Sequence, residues 1–402
     1  MPVKKPELLE LKYEGSVKRV WQPVDRPGRL WFEYTDDYSV FDWGKMPDTI
    51  ANKGRSLAIL GAFFFEHLSH LETWQALPES PHLKKFNRDW LEKRWQHMVF
   101  KRELMIAGAR SHFQGLVSPD GSRLSLDEAG SSAEPIYAEV LGARVDRPKA
   151  AKVLGQTIFF YPRRDQRFGP DLIPLEVVFR FGMPAGSSLK SRLDKDPDYA
   201  RALGLSRPPQ ANELFEHPVI EFYTKLEPKD RLLTLQEAGL LADVGADHFE
   251  NLTELSFDLA LALYVLFADR GIELWDGKFE FVIGSERLQL ADSVGPDELR
   301  LIYKGCQLSK ELIRQVYRGG RWESAILEAQ ELARQRQVLD WKQICQERLK
   351  AEPPPLPANF KALADKLYGS LTNHVVGRAV IQDQQTLDGL AQAIPTVIAP
   401  GV

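Results

Sequence analysis

Alternating hydrophobic and polar positions, with short runs of β-branched and aromatic residues, predict β-strands in several parts of the chain. The predicted strands are residues 12–21, which a glycine interrupts at position 15, and residues 30–34, 136–141, 157–161, 173–181 and 272–275. Hydrophobic residues at helical spacing predict helices elsewhere. The predicted helices are residues 56–71, 252–269, much of 309–350, and 360–371. The chain therefore mixes strands with helices, and its sequence has no internal repeat.

Four segments between these elements have a composition of their own. Residues 72–110 are polar, contain several tryptophans and have a helical pattern, which suggests a helical insertion into an older core. Residues 123–134 are expected to form a loose loop. Residues 163–171 carry three arginines and are a candidate hinge, and the proline-rich residues 353–357 are typical of a linker.

The most informative stretch is residues 276–292, where two strands are predicted around a turn at residues 284–286. The register of this hairpin decides which side chains meet, because a slip of one residue moves every side chain to the other face. If Ile283 pairs with Arg287, Lys278 lies opposite Asp292.

In that register one face of the hairpin carries Lys278 together with the carboxylates of Asp276, Glu280 and Asp292. Magnesium ions prefer oxygen ligands, typically one or two carboxylates together with phosphates. A lysine beside them would bind a phosphate or a nucleotide hydroxyl. The same pattern is also typical of a solvated face with ordinary cross-strand ion pairs, so the pattern alone leaves both interpretations open.

Three weaker signals also suit phosphate groups. Gly15 would let the backbone approach a phosphate, with Lys18 adding positive charge, although a simple turn also needs a glycine. Arg180 ends a predicted strand shortly before a Gly-Ser turn, where a guanidinium and backbone N–H groups suit an anion, although it also fits a surface arginine. Arg300 is the third basic candidate.

Size and composition are those of a globular protein of two or three domains, with 402 residues, 44% hydrophobic and 27% charged residues. The net charge of −4 argues against a general nucleic-acid-binding surface, which needs a basic face. The eight histidines are scattered without metal-ligand spacing, and two cysteines cannot form a disulfide framework or a cysteine zinc site.

The sequence also lacks the patterns of a secreted or membrane protein. Residues 1–15 are charged and do not resemble a signal peptide. The most apolar run, residues 259–268, is about half the ~20 residues that a membrane helix needs, and a buried helix explains it. We therefore expect a soluble protein of a reducing compartment that binds neither nucleic acid nor membrane.

Several sequence blocks occur together in one order along the chain. They are Tyr13–Lys18, Asp37–Asp42 with Lys53-Gly54, Glu176–Arg180 with Gly186-Ser187, Thr224-Lys225 with Asp230, Asp276–Phe281, Asp292–Leu301, and Lys310 with Arg314. In this order they resemble the SAICAR synthetase (phosphoribosylaminoimidazole-succinocarboxamide synthase) family of purine biosynthesis. The resemblance covers roughly residues 12–70 and 173–318.

The resemblance implies an α+β fold of two lobes with ATP in the cleft between them, followed by C-terminal helices. It predicts an N-terminal lobe at residues 1–172, with the glycine hairpin and the insertion at about 72–110. A second lobe at residues 173–305 would carry the nucleotide and metal hairpin. Residues 306–402 would form the C-terminal helical region.

The resemblance also implies the reaction. A cytoplasmic, ATP-dependent ligase would join the carboxylate of carboxyaminoimidazole ribotide to the amine of L-aspartate, with ATP and Mg²⁺ bound. A carboxylate is a poor electrophile, and transfer of the γ-phosphoryl group gives an acyl phosphate that an amine can attack. Such transfer depends mostly on positioning and charge neutralisation.

Site residues follow from the matching blocks. The catalytic residues implied are Lys18, Lys225 and Asp230. The ATP-binding residues implied are Gly15, Lys18, Lys278 and Glu280, and the metal ligands are Glu280 and Asp292. The substrate-binding residues implied are Asp37, Ser39, Arg180, Ser187 and Arg300.

This chain departs from the family pattern at Ser16, Lys229, Ser293 and Glu298. Ser293 replaces an acid next to the metal aspartate, and Asp276 is the nearest candidate to take its place. Two other interpretations therefore stay open: a ligase of the same fold with a different acid or amine, and a non-catalytic nucleotide-binding relative. The oligomeric state is not predicted.

Overall fold

The computed structural model describes residues 9–163, 169–184, 186–284, 287–336 and 340–397. The chain forms two compact units. The first unit comprises the chain up to residue 62, residues 114–140 and the chain from residue 303. The second unit comprises residues 63–113 and 141–302. The predicted hinge at 163–171 lies largely outside the described residues.

The described strands are β1 (Leu9–Glu14), β2 (Lys18–Pro23), β3 (Arg29–Tyr34), β4 (Phe113–Val117), β5 (Arg123–Leu124), β6 (Tyr137–Leu141), β7 (Lys149–Val153), β8 (Gln156–Phe160), β9 (Asp171–Leu172), β10 (Leu175–Met183), β11 (Glu213–Thr224), β12 (Leu232–Leu233), β13 (Glu273–Gly284), β14 (Arg287–Ala291), β15 (Leu299–Tyr303) and β16 (Cys306–Gln307). Each predicted strand corresponds to described strands, but residues 12–21 are divided between β1 and β2, and residues 272–275 are only the start of β13, which continues to Gly284.

The described α-helices are α1 (Lys53–Ser69), α2 (Leu71–Ala76), α3 (Arg88–Gln96), α4 (Met105–Ala107), α5 (Leu126–Ser131), α6 (Ser188–Lys195), α7 (Tyr199–Ala202), α8 (Leu235–Ala242), α9 (Ala246–Asp269), α10 (Lys310–Tyr317), α11 (Arg321–Arg336), α12 (Trp341–Gln343), α13 (Ala358–Val376) and α14 (Leu387–Val397). Short 3₁₀ segments occupy Leu77–Glu79 and Pro81–Lys85, and π-helical turns occupy Val99–Leu104 and Ile344–Arg348. The fold is thus α+β, as predicted.

The first unit is organised by a six-stranded sheet with the strand order β1-β2-β3-β6-β4-β5. Strands β1 and β2 form an antiparallel hairpin, which Gly15 closes by donating its N–H to the Lys18 carbonyl oxygen at 2.8 Å. Trp31 on β3 and Tyr137 on β6 pack with ring centroids 5.3 Å apart. These contacts confirm the glycine hairpin that the sequence predicts.

The prediction of a loose loop at residues 123–134 is wrong, because this segment contains β5 and helix α5. Ser125 caps α5 by accepting from the Glu128 N–H, while the Glu128 side chain accepts from the Ser125 N–H. This reciprocal capping box satisfies two N–H groups that a helix start otherwise leaves unbonded. The Ser-x-x-Glu spacing was therefore a helix signal that overrides the polar composition.

The second unit is built on an antiparallel sheet in which β12, β11, β10, β13 and β15 follow one another, while β9 and β14 also pair with β13. One face of this sheet is apolar and packs against α9. Phe179 on β10 lies 4.7 Å from Phe279 on β13, and Phe181 lies 4.5 Å from Tyr264 of α9, all between ring centroids. Because side chains alternate along each strand, the neighbouring residues face the other way.

Helix α9 is long and apolar enough to cross a membrane by length and composition, with a mean hydropathy of 1.4 over its most apolar 18 residues. Within the protein, 67% of that stretch is buried. The helix is longer than the sequence pattern predicts, because it begins at Ala246 rather than at Leu252. Its burial is that of the core helix of the second unit.

Arg94 of α3 fastens the predicted insertion to α9. Its Nε lies 3.2 Å from a carboxylate oxygen of Asp258, and its guanidinium also binds Glu254. The guanidinium packs over the rings of Trp90 and Phe257, at 4.8 and 4.5 Å from their centroids. Because Arg94 and Asp258 are both buried, each is the main compensation for the other's lost hydration.

Replacing Arg94 by methionine should therefore destabilise the protein by about 3–5 kcal/mol at pH 8, because a buried carboxylate would lose its partner. The loss should be smaller at pH 5, since burial raises the pKa of Asp258 to about 7 and a protonated carboxyl needs no counter-charge. Urea denaturation at both pH values measures the effect. Arg88→Met on the same helix removes only an exposed pair with Glu92 and should cost about 0.5 kcal/mol or less. Equal losses in the two variants would contradict the interpretation.

Candidate functional site

The polar face of the second unit's sheet carries a row of charged residues on neighbouring strands. Their sources are Glu176 and Arg180 on β10, Glu221 on β11, Asp276, Lys278 and Glu280 on β13, and Arg300 on β15. The registers place Arg180 opposite Asp276, and Asp276 opposite Arg300. Alternation along the strands thus produces two groups of ions on one face, with an aromatic core on the other.

The first group is called the lysine cluster here and consists of Glu176, Lys225, Lys278, Glu280 and Asp292. The Lys278 ammonium lies 2.6 Å from Glu176 Oε1 and 2.9 Å from Glu280 Oε1. The Lys225 ammonium lies 2.7 Å from Glu280 Oε1 and 3.4 Å from Glu176 Oε1. The ammonium groups of Lys225 and Lys278 therefore share the same two carboxylate oxygens, Oε1 of Glu176 and Oε1 of Glu280.

Electrostatics hold both lysines in the charged form. Burial alone would lower the pKa of Lys278, but the carboxylates of Glu280, Glu176 and Asp292 raise it well above its ordinary value. Burial also opposes the charged form of Lys225, and Glu280 is the main group that raises its pKa. Burial would raise the pKa of Glu176, yet the two lysines lower it. With two cations against three carboxylates, the cluster carries one net negative charge.

The cluster retains acceptor capacity for a cation. Among the described residues, the hydrogen bonds to Glu280 and Glu176 end on Oε1 of each carboxylate, which leaves both Oε2 atoms without such a bond. The described part of the chain holds no group of three or more His, Cys, Asp or Glu side chains arranged as a complete metal site. The donor set therefore fits a hard cation that obtains its other ligands from phosphates and water.

The register predicted for the β13–β14 hairpin is wrong by one residue. Ile283 pairs with Leu288 rather than with Arg287, and Gly284 pairs with Arg287. The predicted turn residues 285 and 286 lie outside the described part of the chain. Asp292 still contributes to the field at both lysines, because β14 ends at Ala291 and Asp292 has a left-handed φ of 58°. Asp292 lies outside the strand, so the face on which its side chain lies is not set by strand alternation and does not change with the one-residue shift in register.

The second group is called the arginine cluster here and is centred on Arg180. Arg180 Nε lies 2.6 Å from Glu221 Oε2, and its Nη1 lies 3.1 Å from Asp276 Oδ2. Arg192 of α6 reaches Glu221 Oε1 at 2.7 Å, and Arg300 Nε lies 3.4 Å from Asp276 Oδ1. Three guanidinium groups against two carboxylates leave one net positive charge, which suits an anionic ligand.

The stand-in role predicted for Asp276 is wrong. Its two carboxylate oxygens are each engaged by an arginine, Oδ2 by Arg180 and Oδ1 by Arg300. Glu176 instead shares both lysines with Glu280. The third acid of the lysine cluster therefore comes from β10.

The start of helix α6 connects Ser187 to Arg180, since Ser187 caps the helix and the next residue contacts Arg180. Ser187 caps this helix by accepting from the Leu189 N–H at 3.3 Å, and it is buried. Arg180 Nη2 lies 3.4 Å from the hydroxyl of the following residue, Ser188. The start of α6 is therefore held against the arginine cluster.

Gly277 separates the two clusters along β13 and faces the apolar side. A Cβ atom there would lie 2.6 Å from the ring of Phe179 and 2.5 Å from Leu299. Both distances are below any real carbon–carbon contact, so a side chain would displace the core that supports the charged face.

Four predicted site residues belong to the first unit. Lys18 places its ammonium 4.4 Å from the centre of the Phe32 ring. Asp37 accepts from Thr35 Oγ1 at 2.9 Å and pairs with Lys45 at 3.1 Å, while Ser39 Oγ accepts from the Gly44 N–H at 3.2 Å. Gly15 forms the hairpin turn described above.

Asp230 is exposed, unlike Lys225, the other predicted catalytic residue of the second unit. It lies on the loop between β11 and β12, which Thr224 closes by donating its N–H to the Arg231 carbonyl at 2.9 Å. Its charge acts on Tyr161.

Four residues of these clusters were not predicted as site residues from the sequence: Glu176, Glu221, Arg192 and, through its contact with Glu221, Tyr199. Tyr199 donates its hydroxyl to Glu221 Oε1 at 2.7 Å. A signal for two of them was present. Glu176 and Arg180 are four residues apart on β10 and share a face, and Glu221 of β11 lies four residues before Lys225, which directly follows that strand. Arg192 and Tyr199 reach the site through α6 and α7, which strand alternation does not report.

A sequence model of the SAICAR synthetase family matches residues 11–106 and 169–329. An Archaeoglobus fulgidus protein, provisionally named phosphoribosylaminoimidazole-succinocarboxamide synthase, is 31% identical over 371 residues, covering 90% of this chain and 94% of the relative. The enzyme of that name from Shouchella clausii is 26% identical over 76% of this chain and 89% of its own length. The structure of SAICAR synthase from Saccharomyces cerevisiae, complexed with SAICAR, has a TM-score of 0.54 at 17% identity, covering 94% of this chain and 98% of that one. The structural likeness shows a shared fold.

Replacing Glu176 by glutamine should lower stability at pH 7 and have a smaller effect at pH 3. The two lysines lower the pKa of Glu176 in the folded protein, so its charge stabilises the fold above the ordinary value of 4.5 and this contribution is lost as pH falls through the lowered pKa. Denaturant unfolding of wild type and variant between pH 3 and pH 7 measures the difference. Glu72→Gln, at an exposed position, should change little at either pH. A difference that grows towards pH 3 would contradict the assignment.

Proposed function

The chain belongs to the SAICAR synthetase family, and on that premise we propose that it is an ATP-dependent ligase that joins carboxyaminoimidazole ribotide to L-aspartate in purine biosynthesis. The observation that carries this proposal is the lysine cluster, whose two charged lysines and uncommitted carboxylate oxygens suit a metal–polyphosphate. The arginine cluster beside it on the same sheet suits a second, phosphate-bearing substrate. We expect the protein to act in the cytoplasm.

The reaction needs two steps that balance. The ribotide carboxylate oxygen attacks the γ-phosphorus of ATP, and the bond to the bridging oxygen breaks as ADP leaves. The aspartate nitrogen then attacks the carboxyl carbon of the acyl phosphate, phosphate leaves with its bridging oxygen, and the nitrogen loses a proton. Both steps gain most from positioned charges, because charge shifts between oxygens in each.

We propose that Lys278 and Lys225 contact the ATP phosphates, with Lys225 also close to the carboxylate that reacts. Burial and their carboxylate partners fix both ammonium groups before a ligand arrives. Glu280 and Asp292 would hold Mg²⁺, and Glu176 would supply the third acid. The metal ion, when bound, neutralises charge on the transferred phosphoryl group.

We propose that the arginine cluster receives the ribotide 5′-phosphate. Arg300 and the capped turn at Ser187 would contact the phosphate. Arg180 is more buried and already binds Glu221 and Asp276, so its guanidinium would contribute mainly charge and alignment. A phosphate dianion would then meet a pocket with a net positive charge.

The remaining roles are proposals that rest on the family resemblance. Gly15 and Lys18 would contact ATP, Asp37 and Ser39 would bind substrate, and Asp230 would assist the amine. Ser293 and Glu298 depart from the family pattern, which favours a ligase of the same fold with a different acid or amine as the second candidate. Glu176 belongs to a block that resembles the family and gives the lysine cluster a third carboxylate, which supports the first candidate.

The test of the proposed function is ADP release with carboxyaminoimidazole ribotide and each amino acid in turn. We expect release with L-aspartate and formation of the amide product by mass spectrometry. Release with another amine alone would establish the second candidate. No release with any amine would contradict both.

Glu280→Gln and Asp292→Asn should each lower turnover by about 10²-fold or more, since each removes a charge that acts on the phosphoryl transfer. Asp292→Asn should change the unfolding free energy by about 1 kcal/mol or less, because it creates no core cavity. Glu280→Gln should also lower stability, because Lys225 and Lys278 lose the carboxylate that they share, so its turnover is measured on the folded protein. Glu273→Gln, at an exposed position of the same strand, is the matched control and should keep full turnover. For Asp292→Asn, loss of activity in step with loss of stability would contradict a metal-binding role.

Arg300→Ala should raise KM for the ribotide about 10- to 100-fold, the usual effect of losing a charged hydrogen bond, and leave KM for ATP nearly unchanged. Steady-state kinetics with each substrate varied in turn measures both constants. An equal rise in the two constants would mean that Arg300 is structural or contacts ATP.

A further inference from the structure

A second basic pocket lies in the second unit, at the free end of the β13–β14 hairpin. It has a volume of about 420 Å³. Three segments contribute to it. The first is the π-helical turn, α4 and the residues that follow, with Arg102, Glu103 and Arg110. The others are the start of α9, with His248 and Asn251, and the start of β14, with Arg287.

The three arginines of this pocket differ from those of the fold's ion-pair clusters. Within the described part of the chain, Arg102, Arg110 and Arg287 form no ion pair and no side-chain hydrogen bond, whereas Arg94 and Arg180 are each held by two carboxylates. Three guanidinium groups that share one concave surface repel one another. An anionic ligand would remove that repulsion and receive forked hydrogen bonds.

The other walls of the pocket restrict the chemistry of this anion. Glu103 is the one acid in the lining, and its carboxylate would accept hydrogen bonds from hydroxyl groups while repelling phosphate. Asn251 can donate and accept. Leu255 and Leu288 provide an apolar wall. Phosphate, hydroxyl and flat apolar surface occur together in a nucleoside phosphate.

This pocket is separate from the lysine cluster. Arg287 begins β14 and Asp292 follows its end, so their Cα atoms are separated by roughly 16 Å at about 3.3 Å per strand residue. No residue of the lysine cluster or the arginine cluster lines the pocket.

A short chain of hydrogen bonds connects the pocket to Asp292. The Leu290 N–H donates to the Arg110 carbonyl at 2.9 Å, and the His112 N–H donates to the Leu290 carbonyl at 2.9 Å. His112 Nε2 lies 3.1 Å from the Asp292 carbonyl, and it must donate there because a carbonyl only accepts. A ligand that draws Arg110 towards Arg287 would shift this hydrogen-bonded segment, and the segment positions Asp292.

We propose that this pocket binds a nucleoside phosphate as a regulatory ligand and that its occupancy alters the position of Asp292. The binding phosphate contacts Arg102, Arg110 and Arg287, and the ribose hydroxyls face Glu103. Binding in the pocket does not depend on the ligase activity, whereas the effect on Asp292 rests on the proposed nucleotide and metal site.

Binding can be tested by modifying arginines with phenylglyoxal and reading each site by mass spectrometry. AMP and inorganic pyrophosphate serve as probes, and the whole chain is used. We expect Arg102, Arg110 and Arg287 to be protected together at one AMP concentration, at least fivefold more than Arg201, an exposed arginine of α7. Stronger protection by pyrophosphate than by AMP would assign the site to free phosphates and overturn the nucleoside. Protection no greater than at Arg201 with either probe would overturn the site.

The connection to Asp292 is tested with the R102Q/R287Q double variant. The dissociation constant of magnesium–ADP is measured by calorimetry with and without AMP, which reports on the metal site without needing turnover. AMP that competes at the ATP site would act equally on all proteins. We expect an additional change of at least twofold in the wild type and in R201Q that is absent from the double variant. The same response in the double variant would overturn the connection.

Discussion

Two half-buried lysines can share one sheet face here because carboxylates neutralise their ammonium groups. Lys225 and Lys278 both bind Oε1 of Glu280, and both reach Oε1 of Glu176. Without these acids, burial would favour the uncharged lysines, and they would be poor partners for phosphate. The shared oxygens therefore determine both the charge of the lysines and the acceptors that remain for a metal ion.

This arrangement requires strict separation of the two faces of the sheet. Phe179, Phe181 and Phe279 fill one side against α9, while the intervening residues carry charge. Gly277 marks how close this packing is, because the Phe179 ring occupies the space that a side chain would need. The dense apolar layer keeps the strands in register, and the register in turn keeps Arg180 opposite Asp276 and Asp276 opposite Arg300.

The sequence predicted the parts of this site that depend on local periodicity. Strand alternation brought Lys278, Glu280 and Asp276 to one face, and the family blocks pointed to Arg180 and Arg300. The hairpin register was off by one because the turn was placed at residues 284–286, whereas Gly284 still belongs to the strand and pairs with Arg287. Glu176 was not predicted as a site residue, because its partners Lys225 and Lys278 lie 49 and 102 residues away along the chain. Such contacts depend on the order of strands in the sheet, which a single sequence does not encode locally.

The buried pair between Arg94 and Asp258 has a consequence for how the chain is made. The two residues are 164 positions apart, so α3 leaves the ribosome long before the helix that will neutralise it exists. During this interval Arg94, with the aromatic rings of its neighbourhood, has no core to join. The segment around α3 is then a stretch that chaperones can bind, and docking it is a late event in synthesis. Truncated chains that end before α9 would lack Asp258 and would keep the α3 segment undocked.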